Sequence, residues 1–183
     1  DFVFHLAAQA LVRSSYENPI ETMTTNAIGT ANVLDALRTL DKKVVAVMIT
    51  SDKAYDNVEW AWGYRETDRL GGKDPYSASK ASAELLVKSF VDSFFRNNNK
   101  SKIRIATARA GNVIGGGDWA KYRIIPDCVR YWSKGNKVQL RNPNATRPWQ
   151  HVLEAVGGYI CLAINLKFNR KLHGESFNFG PNL

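Results

Sequence analysis

The 183-residue sequence predicts an α/β fold in which parallel strands alternate with helices in a doubly wound sheet. Three observations predict it. Val44–Thr50 is a nearly unbroken apolar run, the pattern of a central parallel strand covered on both faces. Strand-like apolar runs alternate with helical periodicity along the whole chain, and right-handed crossovers join such units into one sheet. Small and polar residues collect where the strands end, which is the edge at which open α/β sheets bind ligands.

Taken in order, Phe2–Leu6 reads as a short buried strand entered midway, since Asp1-Phe2-Val3-Phe4 has neither an initiator Met nor a signal-peptide layout. Ala7-Ala8-Gln9-Ala10 turns out of it with side chains small enough for a ligand to approach the backbone, or for tight strand–helix packing. Asn18-Pro19 begins a helix that runs to about Leu40, with Ala27, Ala31 and Leu34 inward; Asn26 and Gly29 within it are mildly unfavourable there. Val44–Thr50 then delivers Thr50, Ser51, Asp52 and Lys53 at its carboxyl end.

Residues 54–75 form a long loop carrying Trp60, Trp62, Tyr64 and Gly71-Gly72. Loops of this length in compact domains are functional or disordered, and the aromatic content favours a packed flap. Trp60 and Trp62 either cover a site or fill the flap's own core. Asp74 is a good helix N-cap and Pro75 suits the first helical position. The helix that follows, from about Tyr76 to Asn97, repeats Ala83, Leu86, Val87, Phe90, Val91 and Phe94 at helical spacing.

Ile103–Ala108 is the next strand, and it ends in Arg109-Ala110-Gly111-Asn112-Val113-Ile114-Gly115-Gly116-Gly117, whose glycines signal unusual backbone angles. A helix from Ile124 to about Lys134, a short strand at Val138–Leu140, a polar loop over Arg141–Pro148, a helix from His151 to about Leu166 and a strand at Ser176–Phe179 complete the chain. Residues 1–110 form one unit and 111–183 a mixed second one.

Composition narrows the function classes. There is no apolar run of about 18 residues, hence no expected membrane span. The formal charge of +8 is spread along the chain, and no nucleic-acid-binding motif accompanies it. An anionic small molecule needs only a few arginines placed locally. Cys128 and Cys161 lie in apolar helical contexts and read as buried free thiols in a reducing cytoplasm rather than a disulfide. Three scattered histidines and no cysteine pair at ligand spacing offer no metal site.

Tyr76 and Lys80 are four residues apart and share one helix face. A phenol normally titrates near pH 10, and a nearby ammonium favours the phenolate, which can act as a general base. Lowering that pKa by about three units takes about 4 kcal/mol, so cofactor charge and burial are expected to help. Taken alone, the pair also fits an exposed tyrosine and a surface lysine on an amphipathic helix.

The order Leu6-Ala7-Ala8, Thr50-Ser51-Asp52-Lys53, Tyr76-x-x-x-Lys80 and Arg109-x-x-Asn112-Val113 resembles the extended short-chain dehydrogenase/reductases that act on nucleotide sugars. The resemblance covers essentially the whole chain and implies a Rossmann-like fold. In the 4,6-dehydratase branch the strand after the central helix ends in Thr-Asp-Glu; here Ser51, Asp52 and Lys53 stand at those positions. The lysine, the flap Glu59-Trp60-Ala61-Trp62-Gly63-Tyr64-Arg65-Glu66 and the stretch Arg147-Pro148-Trp149-Gln150-His151-Val152 are similar to the subgroup acting on CDP-glucose. The family's glycine-rich turn and ribose-binding acid have no counterpart here, so the sequence reads as a fragment lacking the adenosine half of the cofactor site.

The resemblance implies NAD as cofactor, a nucleotide-diphosphate sugar (CDP-glucose) as substrate, and a homodimer or higher homo-oligomer. It implies oxidation at C4, loss of water across C5–C6 and return of the hydride to C6. Tyr76 takes the C4 hydroxyl proton, Lys80 lowers its pKa and bonds the nicotinamide ribose, and Ser51 bonds the same hydroxyl. Asp52 protonates the departing oxygen, for which it must be neutral, its pKa raised by desolvation. Lys53 is either the base at C5 or a cation stabilising the enolate. Asn112, Arg123 and Arg147 match substrate positions, the arginines suiting a diphosphate. Ala7, Ala8, Asn26 and Gly111 match cofactor-side positions.

Plainer roles stand beside these. Asp52-Lys53 also suits a solvated turn, Asn112 a loop cap, Arg147 the surface, and Ala7, Ala8 and Asn26 simple packing. Among functions, a 4-epimerase needs no acid for C6 elimination and so leaves Asp52-Lys53 unexplained. A non-catalytic dinucleotide-binding protein leaves Tyr76 and Lys80 unexplained.

Overall fold

A computed structural model describes residues 1–96, 101–140 and 142–181. Strand β1 (Phe2–His5) leads into the short helix α1 (Val12–Glu17) and then into α2 (Pro19–Met23), a single π-helical turn (Thr24–Ile28) and α3 (Gly29–Arg38), which return the chain to β2 (Val44–Ile49). Helix α4 (Pro75–Phe90), continued by a second π turn (Val91–Phe95), crosses to β3 (Ile103–Ala110). After β4 (Asn112–Ile114), α5 (Ile124–Trp132) and β5 (Trp149–His151), helix α6 (Val152–Phe168) leads back to β6 (Ser176–Phe179). Four strands pair in parallel in the order β1-β2-β3-β6, while β4 and β5 form a separate parallel ladder.

The apolar run of β2 is explained by two cores. Val44, Ala46 and Met48 meet Leu34, Leu37, Val87 and Val91 on the α3–α4 side. Val45 and Val47 meet Tyr159, Leu162 and Leu166 of α6 on the other. Because successive side chains of a strand point to opposite faces, a strand clad in helices on both sides must be apolar throughout. This is the doubly wound α/β arrangement that the alternation of elements predicts.

Several expectations are corrected. β1 lies at the edge of the four-stranded sheet with only one face packed, so Phe2 and Phe4 stay exposed while Val3 joins the core. Val138–Leu140 forms no strand: Gly135, at φ +69°, closes α5 with its N–H on the Trp132 carbonyl, and the chain then runs on with Leu140 exposed. Three apolar-leaning residues cannot make a strand without a partner to pair with. Cys128 is buried, but Cys161 is exposed, because the register of α6 turns Tyr159, Leu162, Ala163 and Leu166 inward instead; both thiols are free. On the second π turn Phe95, not Phe94, enters the core. The expected helix end at Asn97, Arg141 in the polar loop and the terminal Asn182 and Leu183 lie outside the described residues.

The β4–β5 ladder is held against the main sheet by close backbone packing. A Cβ on Gly111 would lie 2.4 Å from Pro148 Cγ, so only glycine fits between the end of β3 and the 147–148 segment. Gln150 Nε2 donates to the Phe179 carbonyl at 2.9 Å and fixes β5 beside β6. Among the described residues no helix is long and apolar enough to cross a membrane.

Candidate active site

β2 ends at Ile49, and the chain then winds into one 3-10 turn, Asp52–Ala54. Ser51 starts that turn: its Oγ accepts from the Lys53 N–H at 3.3 Å and donates to Asp52 Oδ1 at 3.0 Å. The opposite wall is the first turn of α4, capped by Asp74, whose carboxylate accepts from the Ser77 N–H at 3.0 Å and the Ser77 hydroxyl at 2.6 Å. The flap returns flat across this turn at Gly72, where a Cβ would stand 2.3 Å from the Ala78 nitrogen.

Tyr76 and Lys80 are both buried, at 8% and 6% exposure, which disposes of the surface-helix alternative. Their turn is braced from behind. The Tyr76 N–H donates to Ser15 Oγ, and Ser79 Oγ donates to the Tyr76 carbonyl while accepting from Asn26 Nδ2 at 2.8 Å. Asn26 also bonds both ways to the backbone of Gln9, its Oδ1 accepting from the N–H and its Nδ2 donating to the carbonyl. Its polar atoms are thereby engaged within the protein, on a π turn that brings them inward, so Asn26 ties the loop after β1 to α4.

Burial governs the titration of the site. It raises the Tyr76 phenol, against a hydrogen bond with Ser51 and the charge of Arg123, which both pull downward. Burial therefore opposes the phenolate, contrary to the expectation that it would help. Burial also lowers Lys80 to about 8, although the Glu84 carboxylate one turn further along α4 raises it. Asp52 is raised by burial in the face of its bond from Ser51 and the nearby charges of Lys53 and Arg147.

The other expected residues divide into two groups. Arg123, the residue before α5, places its Nε 3.0 Å from Asp118 and its charge near the Tyr76 phenol. Arg147 is exposed and donates to the Thr146 carbonyl at 2.6 Å, and its charge is the weakest of those that pull Asp52 downward. Two cations thus border the site from segments distant in sequence. Lys53 sits half-buried on the 3-10 turn, and Ala7 and Ala8 lie in the loop that follows β1. Asn112 opens β4 opposite Trp149. Gly111 owes its identity to Pro148. A cleft of about 440 Å³ opens between Trp149, Gln150, Asn178 and Gly180, where β5 lies against β6.

Trp60 and Trp62 do not fill a flap core. They stack on each other at 5.5 Å with Trp62 64% exposed, and the stack continues inward through Tyr64, 5.3 Å from Trp60, to Tyr55, 5.0 Å from Tyr64. Sequence reasoning gave no role to the inner end of this stack or to the side chains beneath it: Glu84, Arg109, Thr50 and Asn178. A signal was present. Glu84 continues the Tyr76, Lys80 spacing on a buried helix face, and Arg109 stands beside Ala108 and Ala110 near the carboxyl end of β3.

Comparison with known proteins extends these observations. The family model described as GDP-mannose 4,6 dehydratase matches residues 1–170. The chain is 51% identical over 183 residues to the CDP-glucose 4,6-dehydratase of Salmonella typhimurium, covering 99% of this chain and 51% of that protein. It is 25% identical to the UDP-glucose 4-epimerase of Mycoplasma genitalium, covering 100% of this chain and 56% of the relative. The chain therefore spans about half the length of these curated relatives. Among solved structures, a dTDP-glucose 4,6-dehydratase from Streptomyces venezuelae with NAD bound superimposes with a TM-score of 0.83 at 23% identity, over 100% of this chain and 52% of that one. At that identity the likeness establishes the fold.

Proposed function

The chain belongs to the GDP-mannose 4,6 dehydratase family, and from that membership we propose that the whole protein converts CDP-D-glucose to CDP-4-dehydro-6-deoxy-D-glucose with NAD as cofactor. One observation carries the reading: the Ser51 and Tyr76 hydroxyls and the Asp52 carboxyl come together at the carboxyl end of β2, with Lys80 buried one turn further along α4 from Tyr76, in a chain half identical to a CDP-glucose 4,6-dehydratase. In this reading residues 1–110 are the C-terminal part of the NAD-binding domain, and 111–183 mix substrate-side segments with the returning α6 and β6.

The residues present fit a dinucleotide at this edge. Ala7 and Ala8 offer small side chains after β1, and Lys80 presents a buried ammonium one turn from Tyr76. When bound, NAD supplies the acceptor for the C4 hydride, the hydride returned to C6 and a positive charge that favours the phenolate. Tyr76 takes the proton of the C4 hydroxyl while Ser51 holds the same oxygen. Once C4 is a ketone, the C5 proton lies α to a carbonyl and becomes removable.

Asp52, raised by burial, keeps its proton further toward neutrality and gives it to the departing C6 oxygen. Lys53 receives the C5 proton or stabilises the enolate as a cation. Arg123 and Arg147 hold the diphosphate, and Asn112 contacts the sugar. A homodimer or higher homo-oligomer, with the exposed apolar side chains Ile28, Leu85 and Phe94 of the α3 and α4 region available to it, and a cytoplasmic location belong to the same reading.

The test uses the full-length protein with CDP-glucose and catalytic NAD in deuterated water, followed by NMR. A 6-deoxy-4-keto sugar with deuterium at C5, absent in Tyr76→Phe, is the expected product. CDP-galactose as product would instead assign a 4-epimerase. Inertness toward CDP-, dTDP- and GDP-sugars alike would leave a non-catalytic dinucleotide-binding protein.

A further inference from the structure

Beneath the site lies a buried ion pair that the proposed chemistry does not use. Arg109 of β3 and Glu84 of α4 are 4% and 2% exposed and meet through two bonds, Nε to Oε1 at 2.7 Å and Nη2 to Oε2 at 2.5 Å. A buried pair is costly unless its remaining hydrogen-bonding capacity is met. Here Glu84 also accepts from the Thr50 hydroxyl at 2.5 Å and from the Ser176 hydroxyl at 3.3 Å. The free edge of the guanidinium turns toward the flap: Arg109 Nη1 donates to Tyr55 Oη at 2.6 Å and to the Glu66 carbonyl at 3.0 Å, with Cζ 4.8 Å from the Tyr55 ring centre.

Asn178 completes the seat of the flap. It accepts from the Tyr55 hydroxyl at 2.7 Å, donates to the Tyr64 carbonyl at 2.9 Å and gives its N–H to Glu66 Oε1 at 3.0 Å. On α4, Glu84 follows Tyr76 and Lys80 at two successive intervals of four residues, hence on one helix face. The same carboxylate is therefore fixed to the helix of the Tyr76–Lys80 pair and, through Arg109, to two points of the flap, the Tyr55 hydroxyl and the Glu66 carbonyl.

We propose that Glu84 and Arg109 are positioning residues that tie the seat of the 55–70 flap to the helix face carrying Tyr76 and Lys80, so that loosening either end loosens the other. The consequence for turnover rests on the function proposed above; the mechanical coupling does not. The fork geometry makes arginine specific here, since a lysine ammonium cannot bond Glu84 twice while reaching Tyr55 and Glu66.

The experiment reads the flap directly. Arg65 and Arg69 are exposed on it and are trypsin sites. Full-length wild type, Glu84→Gln, Arg109→Lys and Tyr55→Phe are digested under native conditions and the cuts located by mass spectrometry. Cleavage after Arg65 and Arg69 should quicken at least about fivefold in every variant, the opening expected from losing one hydrogen bond, while cuts elsewhere keep their rates. Glu84→Gln is decisive, because the hydrogen bonds of the Glu84 carboxylate go to Arg109, Thr50 and Ser176 and none of these lies on the flap.

Should Glu84→Gln fail to fold, Tyr55→Phe reads the coupling from the other end, as faster amide exchange over Tyr76–Glu84. Unchanged flap cleavage in folded Glu84→Gln, cleavage quickened at all sites alike, or unchanged α4 exchange in Tyr55→Phe would each overturn the proposal. In the turnover arm, Tyr55→Phe should lower kcat as well as raise KM; a change in KM alone would confine the pair to flap seating and overturn the link to the catalytic helix. A wild type that turns over no nucleotide sugar would sink the proposed function, and the cleavage comparison would still decide the coupling.

Discussion

Lys80 is held where burial works against its own charge, and its titration can be read as stability. Its folded pKa, about 8, lies below the unfolded value of 10.5. The folded protein thus gives up this proton first. Burying the ammonium costs stability below about pH 8, and stability rises with pH up to about 10.5, where the unfolded chain holds the extra proton. Relative to Lys80→Met, the full-length protein without added NAD should gain up to about 3 kcal/mol across that interval, measured as the difference between urea denaturation curves at pH 7.5 and 10. A flat difference would show that Lys80 is not desolvated. Tyr76→Phe keeps the ring and its packing and removes the phenol, so turnover should fall by about 10²–10⁴ with the thermal midpoint little changed.

At the scale of elements, the two π turns decide which side chains reach the interior. The wider turn at 24–28 buries Asn26, and the one at 91–95 sends Phe95 into the core beside Val91 and leaves Phe94 outside, its ring tilted against Phe90. Phe95→Ala should therefore cost about 3–5 kcal/mol and Phe94→Ala within about 1 kcal/mol, by urea denaturation. Equal costs would remove the second π turn from the account. Gly111→Ala drives a methyl group into Pro148 and should cost about 1–3 kcal/mol, seen as a lower thermal midpoint. Full tolerance would mean that the 147–148 segment yields.

Across the whole molecule, β2 and β3 occupy the centre of the sheet with helices on both faces, whereas β4 and β5 are three residues each and pair only with each other among the described residues. Native-state hydrogen exchange should be slowest at Val45–Met48 and Ile105–Ala108 and distinctly faster at Asn112–Ile114. The reverse order would mean that the ladder, not the sheet, is the stable unit. The sequence by itself determined the alternation of elements, the clad central strand, the cap at Asp74 and the face shared by Tyr76 and Lys80, because burial patterns and caps are local and leave their period in the residues. Only the tertiary structure decided the rest. It put Arg123 near Tyr76 and Arg147 near Asp52, turned Asn26 into a brace, wedged Gly111 against Pro148, and joined Glu84 to Arg109 from 25 residues away. It also reversed the expected effect of burial on Tyr76. These follow from contacts between distant segments and from the water those contacts exclude, and neither quantity has a period that a sequence can display.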